Sequence, residues 1–99
     1  MGKCVVLVSN QRYSDGHQAQ LRQLLDEGID LFCASGSESE SWEDAMDWLC
    51  VELAADGTLP GAFCNTTSHP GQPLDEVVAF ARQWNELKGE PPDVRVIEI

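Results

Sequence analysis

His17 and His69 are the two imidazoles of this 99-residue sequence, and each stands among residues that could share chemistry with it. "NTTSHPGQ" (65–72) places Asn65, Thr66, Thr67 and Ser68 directly before His69, and "SNQRYSDGH" (9–17) places Ser9, Asn10 and Arg12 ahead of His17. A hydroxyl beside an imidazole, with Asp15 to orient it, has the residue types of a nucleophile–base–acid set. His17, His69 and Asp15 also have the ligand types of a zinc site. Neither set is complete. Residues adjacent in a chain rarely supply triad geometry, and a zinc ion needs a further ligand that the spacing does not identify. No catalytic residue, metal ligand or cofactor is assigned. The nine residues Ser9, Asn10, Arg12, His17, Asn65, Thr66, Thr67, Ser68 and His69 stand as a candidate ligand-binding crevice.

Other chemistries fail on spacing. "SNQRYSDG" holds one glycine and matches neither the phosphate loop G-x-x-x-x-G-K-[ST] nor the dinucleotide fingerprint G-x-G-x-x-G. A C-x-x-x-x-x-R phosphatase or sulfurtransferase loop would need Arg where Pro70 follows Cys64 and where Asn10 follows Cys4. The acceptor Asp of a receiver domain is replaced by Asn65, and its acidic pair by Ser9-Asn10. No G-x-S-x-G nucleophile elbow occurs. The helix starts carry acids of their own (Asp15; Glu43 and Asp44; Asp75 and Glu76), which repel a phosphorylated ligand.

The elements that must position these residues follow from periodicity. "CVVLVS" (4–9), "DLFCAS" (30–35) and "GAFCNT" (61–66) are short apolar runs, the pattern of parallel strands buried on both faces. "DVRVIEI" (93–99) alternates, with charges suited to a sheet edge. Three helical stripes lie between them: Leu21, Leu24, Leu25 and Ile29, closed by Gly28; Trp42, Ala45, Met46, Leu49 and Leu53, with Ser41 and Asp44 at capping-box spacing; and Leu74, Val77, Val78, Ala81 and Trp84, with Pro73 at the start. The order is βαβαβαβ over a single domain, 1–99. The expected fold is a small three-layer α/β domain with a four-stranded parallel sheet in the order 2-1-3-4.

This layout resembles a shortened doubly wound, flavodoxin-like domain, and the chain as a whole looks like one of the small uncharacterised bacterial families. The resemblance implies a fold and no activity. In such sheets ligands bind beyond the strand carboxyl ends, where the winding reverses. For the order 2-1-3-4 that point lies between the loops after the first and third strands, which hold both histidines.

Composition narrows the partners. Seventeen acidic residues against six basic ones give a net charge of −11, which disfavours nucleic acid and anionic membrane. No apolar run approaches the roughly 20 residues of a membrane span, and "MGKCVVLV" is too short for a signal-peptide core. Four cysteines without a C-x-x-C pair suit small buried hydrophobes, and the expected location is cytoplasmic. On the second helix Trp48, Val51 and Ala55 fall off the inward stripe, with Asp44, Asp47 and Glu52 around them. That is the pattern either of an aromatic interface anchor in a polar rim or of a wide stripe with Trp48 at its margin covering the sheet edge. The expected function is a non-catalytic acidic interaction or small-ligand-binding module, acting as a homodimer or on a protein partner with a basic surface. The alternative is a small metal-dependent or Ser/Thr-His hydrolase working in the crevice.

Overall fold

A computed structural model describes residues 4–59, 64–89 and 94–99. Four strands, β1 (Cys4–Val8), β2 (Leu31–Ser35), β3 (Asn65–His69) and β4 (Val94–Glu98), alternate with three helices, α1 (Gln18–Asp26), α2 (Ser39–Ala55) and α3 (Leu74–Leu87). A short 3-10 turn over Asp15–His17 leads into α1. The sheet is wholly parallel.

Strand order corrects the expectation. It is β3-β2-β1-β4, not 2-1-3-4. The chain moves outward from β1 through β2 to β3, then reverses and places β4 on the far side of β1. Right-handed crossovers convert that reversal into a change of face. The helices α1 and α2 therefore share one face, and α3 lies on the other.

Side-chain polarity explains why this order wins. In 2-1-3-4 the third strand would be central and buried on both faces. Its residues are Asn65, Thr66, Thr67, Ser68 and His69, all half-buried and all polar. An edge position leaves them partners in water, while threonine's β-branching still suits a pleated strand. The fully buried "LFCAS" of β2 takes the inner place instead. The sequence-based strand over 61–66 thus shifts towards the carboxyl end: Cys64 is buried just ahead of β3, and residues 61–63 lie outside the described residues.

Register divides the core by strand parity. Val5, Leu7, Phe32 and Ala34 pack with Leu21 and Leu24 of α1 and with Trp42, Met46, Leu49 and Leu53 of α2. Cys4, Val6, Leu31 and Cys33 face Val77 and Ala81 of α3. Gly28 ends the turn after α1 at φ +77°, letting Ile29 fold back into the core. The α2 helix begins two residues before the expected cap, so Ser41 is free to bond elsewhere. All four cysteines are free and buried, with the Cys50 and Cys64 sulfurs 4.0 Å apart in the core.

The first two strands meet tightly at their carboxyl ends. Ser9 N–H donates to the Ser35 carbonyl at 3.0 Å, and Gly36 then turns at φ +104° against Ser9. A Cβ on Gly36 would stand 2.1 Å from the Ser9 carbonyl oxygen. Only glycine fits there.

Candidate functional site

The strand order decides what the two histidine segments can do together. With β2 between β1 and β3, their carboxyl ends stand two strand spacings apart, roughly 10 Å. The winding reverses between β1 and β4 instead, so the crevice expected between the loops after the first and third strands is not where this sheet places it. Nor is Asn65–His69 a loop. It is the edge strand itself.

The two histidines lie in opposite layers, His69 by strand parity and His17 by the packing of its 3-10 turn. His69 follows Thr67, which pairs with Cys33, and its ring lies 5.1 Å from Phe80 of α3. His17 packs in the α1/α2 layer, its ring 4.8 Å from Trp42 and 6.2 Å from Tyr13. Each is engaged locally. His17 Nδ1 meets the Ser14 hydroxyl at 3.2 Å, while the His69 nitrogens meet Thr67 Oγ1 at 2.8 Å and Gln72 Oε1 at 2.5 Å. Among the described residues no group of three or more His, Cys, Asp or Glu side chains could hold a metal ion.

The remaining crevice residues are also turned to local bonds. The Ser9 hydroxyl donates to the Gln11 carbonyl and accepts from the Gln11 N–H. Asn10 Oδ1 accepts from both the N–H and the hydroxyl of Ser37. The Asn65 amide donates to the Asp30 carbonyl, and the Thr66 hydroxyl donates to Asp47 at 2.6 Å. Near the reversal between β1 and β4 a small groove of about 280 Å³ is lined by Leu24, Ile97 and Ile99, with Glu27 and Arg95 paired at 2.9 Å.

Arg12 goes elsewhere, to a second region. Residues 9–17 run along α2 and are fastened to it at three points. The Trp42 indole N–H donates to the Gln11 carbonyl at 2.8 Å, and Ser41 Oγ accepts the Tyr13 N–H at 3.1 Å. Tyr13 stands edge-on to Trp42 at 5.4 Å. These contacts hold an open groove of about 360 Å³ between the segment and α2, near the lower end of ligand-pocket volumes.

The walls of the groove are aromatic and acidic. Ser41, Ala45, Trp48 and Glu52 recur at helical spacing along one side, with Asp44 beside them; Arg12, Tyr13 and Asp15 form the other. Trp48 is 66% exposed and Val51 57%, and Ala55 is exposed on the same stripe. An indole that open leaves most of its apolar area in water, where burial would release about 25 cal/mol per Å². Burial raises the pKa of the Tyr13 hydroxyl above its ordinary value, and the Asp15 and Glu52 carboxylates push it further in the same direction. The groove carries negative potential.

Sequence reasoning found Trp48 and Arg12 separately, by helical phase and by loop membership. It missed Tyr13 and the junction of the two. The signal that could have joined them is the aromatic Tyr13 within a polar loop, a residue type that favours a packing partner.

No helix among the described residues is long and apolar enough to cross a membrane. Neither a curated protein nor a solved structure matches the chain. A family model described as a domain of unknown function (DUF7684) matches residues 1–99, and the chain belongs to that family.

Proposed function

We propose that this protein is a non-catalytic interaction module that binds a protein partner with a basic surface through the outer face of α2. One observation carries the reading: Trp48 and Val51 stand exposed on a helix whose inward stripe is already complete without them. Large exposed aromatics anchor interfaces because their burial contributes area at little conformational cost. Asp44, Asp47 and Glu52 around the indole, with a net charge of −11, favour a cationic partner and raise its association rate.

The test compares the protein and Trp48→Ala as bait in extract of the source cell. Captured proteins are then purified and their direct binding measured by calorimetry. A basic partner whose affinity falls at least about tenfold with Trp48→Ala supports the reading, since truncating an anchor costs about 2 kcal/mol or more. Indifference of every direct partner to the substitution overturns it.

Self-association is a second reading, with its own observation. Among the described residues only α3 covers its face of the sheet, and Val96 of β4 is 40% exposed beside half-buried Val8 and Val94. A homodimer on that flank would sediment as such at micromolar concentration and be broken by Val96→Lys but not by Trp48→Glu. A monomer at high concentration sinks it.

A further inference from the structure

The groove at Trp48 does not end at Asp44. Arg12, Ser41 and Asp44 also line an adjoining hollow of about 310 Å³, whose other walls include Glu38, Glu40 and Pro70. The two hollows share those three residues and form one trough, running from Glu52 along α2 to the carboxyl end of the sheet. Its charge is uneven. Asp15 and Glu52 line one hollow and Glu38 and Glu40 the other, while Asp44 borders both beside Arg12, the one cation among the lining residues.

Such a trough selects by chemistry. An arginine or lysine head over an indole face is attracted by the ring quadrupole, by about 0.5–1 kcal/mol at an exposed site. Flanking carboxylates add charge-assisted hydrogen bonds. The apolar stem of the same side chain can cover Ala45 and Leu49, which line the floor. A neutral side chain would gain only the stem contact. An anionic one would meet five carboxylates.

We infer that the trough takes an extended basic segment of a protein, with one arginine or lysine head stacked on Trp48 among Asp15, Asp44 and Glu52 and a second over Glu38 and Glu40. This rests on the interaction-module reading and names its ligand: a linear run of cationic side chains in place of a folded basic surface. Arg12 is then the internal competitor, occupying part of the negative potential that the segment uses.

The probe is acetyl-Arg-Gly-Arg-Gly-Arg-amide, with a counterpart in which citrulline replaces each arginine and so removes the charge at nearly constant shape. Binding is followed by nuclear magnetic resonance, using the Trp48 indole N–H and the Tyr13 and Ser41 amides as reporters. The arginine peptide is expected to shift all three, and the citrulline peptide none. Trp48→Leu should abolish the response at Tyr13 and Ser41. Asp44→Asn with Glu52→Gln should weaken binding about fivefold, the loss of two exposed ion pairs. Arg12→Gln should tighten it.

Equal shifts with citrulline, shifts spread over acidic residues remote from α2, or affinity indifferent to Trp48→Leu would each overturn the inference. The two readings fail separately. A partner that depends on Trp48 while the arginine peptide leaves the trough unmoved sinks the linear-segment assignment alone. A peptide that binds as expected, while every captured partner ignores Trp48, sinks the proposed function and leaves the trough's preference for cations standing.

Discussion

At the scale of single residues, Gly36 does what no other amino acid could. Its φ of +104° and the 2.1 Å approach of a Cβ to the Ser9 carbonyl would act together in Gly36→Ala. The expected loss is about 3 kcal/mol or more, from backbone strain plus a contact with main chain that cannot yield. Gly28→Ala, in open space at φ +77°, should lose only about 1 kcal/mol. Urea unfolding of both variants checks the contrast, and equal losses would refute it. Cys33 offers a pH test. Burial raises its thiol from 9.0 to about 11. Below pH 9 the thiol is neutral in folded and unfolded chains, and its full contribution to stability is present. Above pH 9 the unfolded chain ionises first, and stability is lost as pH rises through about 11, on the order of 3 kcal/mol in all. Urea midpoints between pH 8 and 11 should therefore fall less steeply for Cys33→Ala than for the parent.

Elements explain why two histidines that read as neighbours pack in different layers. A strand sends successive side chains to opposite faces, so Thr66 reaches Asp47 of α2 while Thr67 and His69 turn towards α3. The expected energetic signature is independence. In a double-mutant cycle His17→Ala and His69→Ala should add within about 0.5 kcal/mol. A larger coupling, or a thermal shift with zinc that needs both imidazoles, would mean a shared ligand. The α2 helix makes the opposite case, since it gathers residues distant in sequence. Trp42→Phe keeps most of the buried ring and removes the N–H that holds the Gln11 carbonyl. It should destabilise by about 1–2 kcal/mol and speed hydrogen exchange at the Tyr13 amide, whose acceptor is the neighbouring Ser41. Unchanged exchange at Tyr13 would show that the segment is held without that bond.

For the whole molecule the net charge of −11 dominates, and it acts on folding and binding with opposite signs. Like charges repel in the compact state, and salt screens them over a Debye length that falls from about 30 Å at 0.01 M to about 8 Å at 0.15 M. Thermal stability should rise over that range, by on the order of 1 kcal/mol or about 4–8 °C. Affinity for a basic partner should fall over the same range. Calorimetry at the two salt concentrations separates the effects, and stability that falls with salt would contradict the self-repulsion account.

The sequence by itself determined that short apolar runs alternate with helical stripes, and hence a parallel α/β sheet of four strands. Burial leaves few other uses for CVVLV and LFCAS. For Trp48 the helical phase left two positions open, an exposed indole or the margin of a wide stripe covering the sheet edge. Only the packed fold, with Trp48 66% exposed, chose between them. Strand order required the tertiary structure. Right-handed crossovers permit both 2-1-3-4 and 3-2-1-4, and the choice turns on which strands tolerate an edge. The polar run Asn65–His69 held that information, but an apolar stretch just before it took the strand assignment in its place. Residues legible as a loop became an edge strand, and the point where the winding reverses moved to lie between β1 and β4. The trough beside Trp48 was invisible for a related reason. Its two walls are 28 residues apart at the Tyr13–Ser41 hydrogen bond, and only packing against a shared Trp42 brings them face to face.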